Sequence, residues 1–156
     1  MTGMPLRKDI EEQAEKTRER RMGLHRPFTL LVMGGSRGAH TLNDKVSLAL
    51  CELIQDIKDV RVIHLTGQND EQVIRERYER AAFAHDVHAF VHDMASVYDQ
   101  TDLAICRSGA ATCSELQVFG VPALLVPYPH AVRDHQMANA RAMEKMGVAD
   151  VASERD

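Results

Sequence analysis

Five short, nearly continuous apolar runs alternate with stretches whose apolar residues recur every three or four positions. The runs are Phe28-Thr29-Leu30-Leu31-Val32-Met33, Val60 to Leu65, Val87 to Val91, Leu103 to Cys106 and Ala123 to Val126. Their length suits strands, and their lack of polar alternation suits strands buried on both faces. Between the first two, Leu42, Val46, Leu50, Leu53 and Ile57 keep helical spacing and predict a helix over 39–58. Further helices are predicted over 70–84, after an N-cap at Asp93, over 112–119 with Gly120 as its stop, and from an N-cap at Asp134 to Gly147. Val148 to Asp156 reads as the start of another strand or loop. Such alternation predicts an α/β fold, a Rossmann-like, doubly wound parallel sheet covered on both faces.

Residues 1–27 break the pattern. From Arg7 to Arg21 the segment is dense in charge and poor in apolar residues, which predicts an exposed helix laced with ion pairs, leading into a domain over 28–156. The formal net charge of -4, the absence of Trp and an aromatic content of 4% speak against nucleic acid as a partner. Cys51, Cys106 and Cys113 form no CxxC pair and read as reduced, small core residues of a cytoplasmic protein. No apolar leader follows Met1, and no run approaches the ~20 residues that cross a bilayer.

The unusual residues fall at the carboxyl ends of the predicted strands, the rim where open parallel sheets bind ligands. Gly34-Gly35-Ser36-Arg37-Gly38 follows the first strand. Glycines there let the backbone approach an anion, and the next helix offers free amides and its dipole. The other rim segments are His64-Leu65-Thr66-Gly67, Phe90-Val91-His92-Asp93-Met94, Arg107 to Glu115, and Pro127 to His130 leading to Asp134-His135-Gln136 and Asn139. Thr112 and Glu115 have capping-box spacing, so Glu115 reads as a helix cap, as a ligand carboxylate, or as both. The glycine pentad also fits the elbow of a serine hydrolase, with Ser36 as nucleophile, His135 as base and Asp102 or Asp134 orienting it. His85, His88 and His92 suggest a metal, but His85 and His88 point to opposite faces of a strand, and no metal site is predicted. Neither a P-loop nor a dinucleotide fingerprint is present.

Taken in order, Gly-Gly-Ser-Arg-Gly-Ala at 34–39, Phe90 to Met94, Arg107 to Thr112 with Glu115, and Asp134-His135-Gln136 with Asn139 resemble the MurG-type N-acetylglucosaminyltransferases of bacterial peptidoglycan synthesis. The resemblance runs from Gly3 to about Gly147. It implies the C-terminal, donor-binding half of a GT-B glycosyltransferase, with UDP-N-acetylglucosamine as substrate, no cofactor and no metal. Arg7, Gly35, Ser36, Ala110, Ala111 and Thr112 would hold the diphosphate. Phe90, Val91, Met94, Arg107 and Glu115 would hold uracil and ribose, and His135 and Gln136 the sugar. The resemblance places the lipid I acceptor site, the membrane-facing patch and the catalytic base in an N-terminal domain outside this sequence, so no catalytic residue is expected here. It implies a cytoplasmic location, peripheral to the inner face of the membrane in the full enzyme. Met4 and Arg37 depart from it, standing where the family usually has Asn and Gln. Two other functions stay open: a nucleotide-sugar binding module without turnover, and the Ser36 hydrolase.

Overall fold

The structure is a computed structural model that describes residues 10, 12–14, 17, 26–35, 39–54, 57–129 and 134–154. Strand β1, Phe28–Met33, shows how the apolar runs are used. Successive side chains of a strand point to opposite faces. Leu31 and Met33 join Ile63, Leu65, Ala104 and Cys106 in one core, while Leu30 and Val32 join Val62 in a second. A run apolar at every position is therefore what a strand between two helical layers needs.

The elements follow as α1 (His40–Leu53), β2 (Val60–Leu65), α2 (Glu71–Tyr78), β3 (Ala84–His88), α3 (Met94–Gln100), β4 (Leu103–Cys106), α4 (Ala110–Phe119), β5 (Ala123–Leu125), α5 (His135–Lys145) and β6 (Ala149–Val151). The strands pair in the order β3-β2-β1-β4-β5-β6, all parallel. Leu50 of α1 and Ile74 and Tyr78 of α2 close one face, whereas Tyr98 of α3, Leu116 and Phe119 of α4 and Met143 of α5 close the other. The winding reverses between β1 and β4, and a crevice opens there at the carboxyl edge.

The predicted fold class holds, and several boundaries move. The first helix stops at Leu53, with Ile54 as its C-cap, and Leu53 and Ile57 are exposed. The third strand runs 84–88 rather than 87–91. It is an edge strand, and of its side chains only Val87 is buried, so its first half carries no apolar signal. The N-terminal segment also differs from expectation. Its described residues are helical, and Ile10, Ala14 and Thr17 are fully buried on one face. Ile10 and Ala14 join the larger core, and the Thr17 hydroxyl donates to Asp99 of α3. Three small or medium side chains at i, i+4 and i+7 suffice to dock this segment on the sheet's helical layer.

Gly120 ends α4 in the left-handed region (φ 63°), with its N–H bonded to the Gln117 carbonyl. A Cβ at Gly120 would meet nothing within 4 Å. Gly120→Ala is thus expected to carry a pure backbone penalty of about 1–2 kcal/mol, read as a lower midpoint in urea unfolding. Among the described residues no helix is long and apolar enough to cross a membrane.

Candidate functional site

The crevice beside β1 and β4 is a cleft of about 150 Å³ lined by Met33, Gly35, Leu65, Ala89, Phe90, Val91, Met94, Tyr98, Thr112 and Glu115. Six of these, Gly35, Phe90, Val91, Met94, Thr112 and Glu115, are residues singled out in the sequence. They arrive from the carboxyl ends of three strands or the helices that follow them: Gly35 after β1, Phe90, Val91 and Met94 after β3, and Thr112 and Glu115 after β4. Gly35 turns the chain away from β1 with φ 97°, a value side chains rarely adopt. Val91 is half-buried, and Phe90 is 58% exposed, with its ring edge-on to His92 at 5.0 Å between centroids.

Among the described residues that line the cleft Glu115 is the one carboxylate, and its surroundings test its reading as a helix cap. Helix α4 starts at Ala110 with Gly109 as N-cap and no side-chain cap. Thr112 is thus already inside the helix, and the predicted capping box is not formed. Instead Glu115 Oε2 accepts from the Tyr98 hydroxyl at 2.9 Å. Burial and the neighbouring Glu115 carboxylate push the Tyr98 phenol well above its ordinary pKa, so Tyr98 stays a donor. One face of the carboxylate is held from below. Tyr98 was missed in the sequence. Its signal was its place one helical turn after Met94, on the same face of α3.

The first intrahelical bond of α4 runs from Cys113 N to Gly109 O at 2.9 Å, and that of α1 from Asn43 N to Ala39 O at 2.8 Å. Neither helix has a side-chain cap. The first-turn amides of both, including those of Ala110, Ala111 and Thr112, therefore have no partner inside their helices. Two uncapped N-termini flanking one crevice suit a polyanion.

The remaining candidates scatter. Arg7 and Ser36 lie outside the described residues. Arg107 is buried away from the cleft, donating to the carbonyls of Val126 at 3.0 Å and Pro127 at 3.3 Å and to Glu154. His135 is exposed at the start of α5, and Gln136 Oε1 accepts from Tyr128 N at 2.9 Å. Asp134 takes the N-cap position of α5 with φ 52°, but its side chain makes no cap bond. Asp102 sits at the amino end of β4, clasped by Arg26 at 2.5 and 2.8 Å and by Thr29 N at 2.8 Å. That is the opposite edge of the sheet from His135, so Asp102 does not orient it. His85 and His88 lie on opposite faces of β3, as read.

His64 does not reach the rim either. It is fully buried, with Nδ1 2.9 Å from the Tyr78 hydroxyl and Nε2 3.2 Å from Asn43 Oδ1. Asn43 Nδ2 donates to Thr66 O at 2.7 Å and to Asp70 Oδ2 at 2.8 Å, so its Oδ1 is an acceptor. His64 Nε2 must then carry the proton, and Tyr78 must donate to Nδ1. Burial holds the His64 pKa down to about 3, so the ring is neutral. Burial pushes Asp70 upward, but hydrogen bonds from His40 and Asn43 outweigh it and leave the carboxyl below its ordinary value. The Asp70 hydrogen bond raises His40.

The model of the glycosyltransferase family 28 C-terminal domain matches residues 29–156. The chain is 44% identical over 149 residues to the UDP-N-acetylglucosamine–N-acetylmuramyl-(pentapeptide) pyrophosphoryl-undecaprenol N-acetylglucosamine transferase of Hahella chejuensis, covering 96% of this chain and 41% of the relative. The transferase of the same name from Geobacter sulfurreducens is 42% identical over 156 residues, covering 100% and 43%. The chain thus spans about two-fifths of the length of these relatives. The crystal structure of MurG from Acinetobacter baumannii superposes with a TM-score of 0.80 at 33% identity, over 94% of this chain and 42% of that one. A kitacinnamycin glycotransferase shares the fold alone, with a TM-score of 0.67 at 20% identity. The chain belongs to glycosyltransferase family 28, as its C-terminal domain.

Proposed function

We propose that this chain is the donor-binding domain of an inverting N-acetylglucosaminyltransferase that converts lipid I to lipid II. The observation that carries the reading is the Glu115 carboxylate, propped by Tyr98 in a cleft between two uncapped helix N-termini. A cis-diol offers two hydroxyl protons, and a carboxylate with one oxygen already fixed presents the other to them. A diphosphate offers two negative charges, and the free amides of α1 and α4 answer them. Val91, Met94 and Phe90 supply the apolar wall for a planar base.

In the transfer, an acceptor hydroxyl attacks the anomeric carbon and UDP departs. The amides that bind the diphosphate also stabilise the charge that grows on it. The acceptor site and the base belong to an N-terminal domain of the full enzyme, which works at the cytoplasmic face of the membrane as a peripheral protein. Charge neutralisation by amides makes the donor site independent of metal.

Calorimetric titration of the chain with UDP and UDP-N-acetylglucosamine tests this. Both are expected to bind, with affinity unchanged in EDTA. Failure of UDP to bind overturns the donor-site reading, and binding lost in EDTA and restored by magnesium overturns the metal-independent one. Radiolabelled transfer to a lipid I analogue is expected to be absent with the chain alone, and turnover here would place the base in this domain.

A further inference from the structure

Arg107 and Glu154 lie outside the cleft, yet they tie together the chain after β4, the chain after β5 and the chain after β6. Arg107 leaves the carboxyl end of β4 and is 7% exposed. Its Nη1 donates to the Val126 and Pro127 carbonyls at 3.0 and 3.3 Å. Its Nη2 donates to Glu154, and its Cζ stands 5.4 Å from the centroid of the Tyr128 ring. The planar fork thus fixes the two peptides before Tyr128, its face steadies the Tyr128 ring, and the half-buried Glu154 carboxylate balances its charge. The Glu154 carbonyl is held in turn by Lys45 of α1.

Tyr128 passes this constraint on. Its N–H donates to Gln136 Oε1 at 2.9 Å. An N–H can face only the carbonyl end of the amide, so Gln136 is turned one way, with its Nε2 at the end away from Tyr128 N. Ser108, the neighbour of Arg107, donates to the Gln136 carbonyl at 2.8 Å, and Asn139 donates to the Ser108 carbonyl at 3.0 Å. The first turn of α5 is therefore held at the Gln136 carbonyl by the loop after β4 and at the Gln136 side chain by the loop after β5.

We propose that Arg107 and Glu154 are positioning residues for donor-sugar recognition, setting through Tyr128 which end of the Gln136 amide faces the hexose. The proposal rests on the UDP-sugar reading above. Lysine at 107 keeps the charge but has no fork, so it cannot hold two carbonyls and a carboxylate together. Without that hold, the two peptides before Tyr128 lose the fork that fixes them, and the aim of the Tyr128 N–H at the Gln136 amide loosens. None of these residues lines the cleft around Glu115, so the nucleotide end of the site is left intact.

The test is calorimetric titration of Arg107→Lys and of the milder Glu154→Gln with UDP and with UDP-N-acetylglucosamine. Each variant is expected to lose at least fivefold in affinity for the nucleotide sugar while its affinity for UDP changes less than twofold. In a Gln136→Ala background, Arg107→Lys is expected to add no further loss, because its effect runs through Gln136. Parallel losses for both ligands, unchanged affinity for both, or additive losses in the double variant each overturn the proposal. If Arg107→Lys does not fold, Glu154→Gln carries the same comparison. Failure of the unaltered chain to bind UDP is the separate result that overturns the donor-site reading, and this proposal with it.

Discussion

Glu115→Gln is expected to weaken UDP binding at least tenfold while shifting the melting temperature by no more than about 3 °C. Hydrogen bonds to a charged group contribute about 1.5–3 kcal/mol each, and 1.4 kcal/mol is tenfold in affinity. Glutamine keeps the shape and offers one carbonyl oxygen. The Tyr98 hydroxyl, a committed donor 2.9 Å from Oε2, claims that oxygen. The amide then turns its NH₂ toward the cleft, where the ribose hydroxyls need an acceptor. Stability changes little because Glu115 is half-buried, caps nothing and retains the Tyr98 bond. Isothermal titration with UDP, alongside thermal unfolding, measures both effects. An unchanged affinity with a lowered melting temperature would show that Glu115 serves only to satisfy Tyr98.

Much of the fold was legible because a strand buried on both faces needs apolar residues at every position. β1, β2 and β4 announce themselves by runs close to that pattern, broken only at Thr29, Arg61 and His64, and their order with the helices implies the parallel sheet. β3 begins three residues before its apolar run for the complementary reason. As an edge strand it buries only Val87, so Ala84-His85-Asp86 carries no apolar run. The overlong first helix came from Leu53 and Ile57, which keep the helical period yet stay 72% and 52% exposed. Periodicity reports what a helix could bury, not whether a partner is there. In the N-terminal segment the error ran the other way, since Ile10, Ala14 and Thr17 are too few and too small to stand out from their charged neighbours.

The site was legible in its outline and not in its second layer. Strand ends can be located from the runs, so Gly35, Phe90, Val91, Met94, Thr112 and Glu115 were found together. Which side chains point back from a rim cannot be read from position along the chain. Arg107 and His64 occupy rim positions, yet both turn inward, one to the carbonyls after β5 and the other to Tyr78 and Asn43. Tyr98 makes the reverse move, from a buried helix face up to Glu115. Thr112 and Glu115 show how a local motif misleads. Their spacing fits a capping box, but the helix has already begun two residues earlier.

Acidification from pH 6 to pH 4.5 is expected to remove about 2 kcal/mol of stability through His64 alone. The unfolded chain takes up a proton on this histidine near its ordinary pKa of 6.5, whereas burial delays protonation of the folded state to about 3. Between those values the unfolded state binds more protons, so stability falls with falling pH at about 1.4 kcal/mol per unit. Above pH 6.5 the contribution is complete. The His40–Asp70 pair works in different windows. The raised pKa of His40 contributes stability that is present below its unfolded value and fades as pH rises through the folded one. The lowered pKa of Asp70 contributes stability that is present above its unfolded value of 3.8 and fades as pH falls through the folded one. Between pH 6 and 4.5 the first is largely in place and the second is not yet lost, which leaves His64 as the group to read. His64→Gln provides the control. Its amide N–H can still donate to Asn43, but Tyr78 loses its acceptor, at a cost of about 1–3 kcal/mol at neutral pH. The variant carries no titrating ring, so its stability should fall less steeply, by about 1.4 kcal/mol per pH unit. Urea unfolding of both proteins at half-unit steps measures the two slopes. Equal slopes would mean that the ring is protonated in the folded state as easily as in the unfolded one, and that the Tyr78–His64–Asn43 network does not keep it neutral.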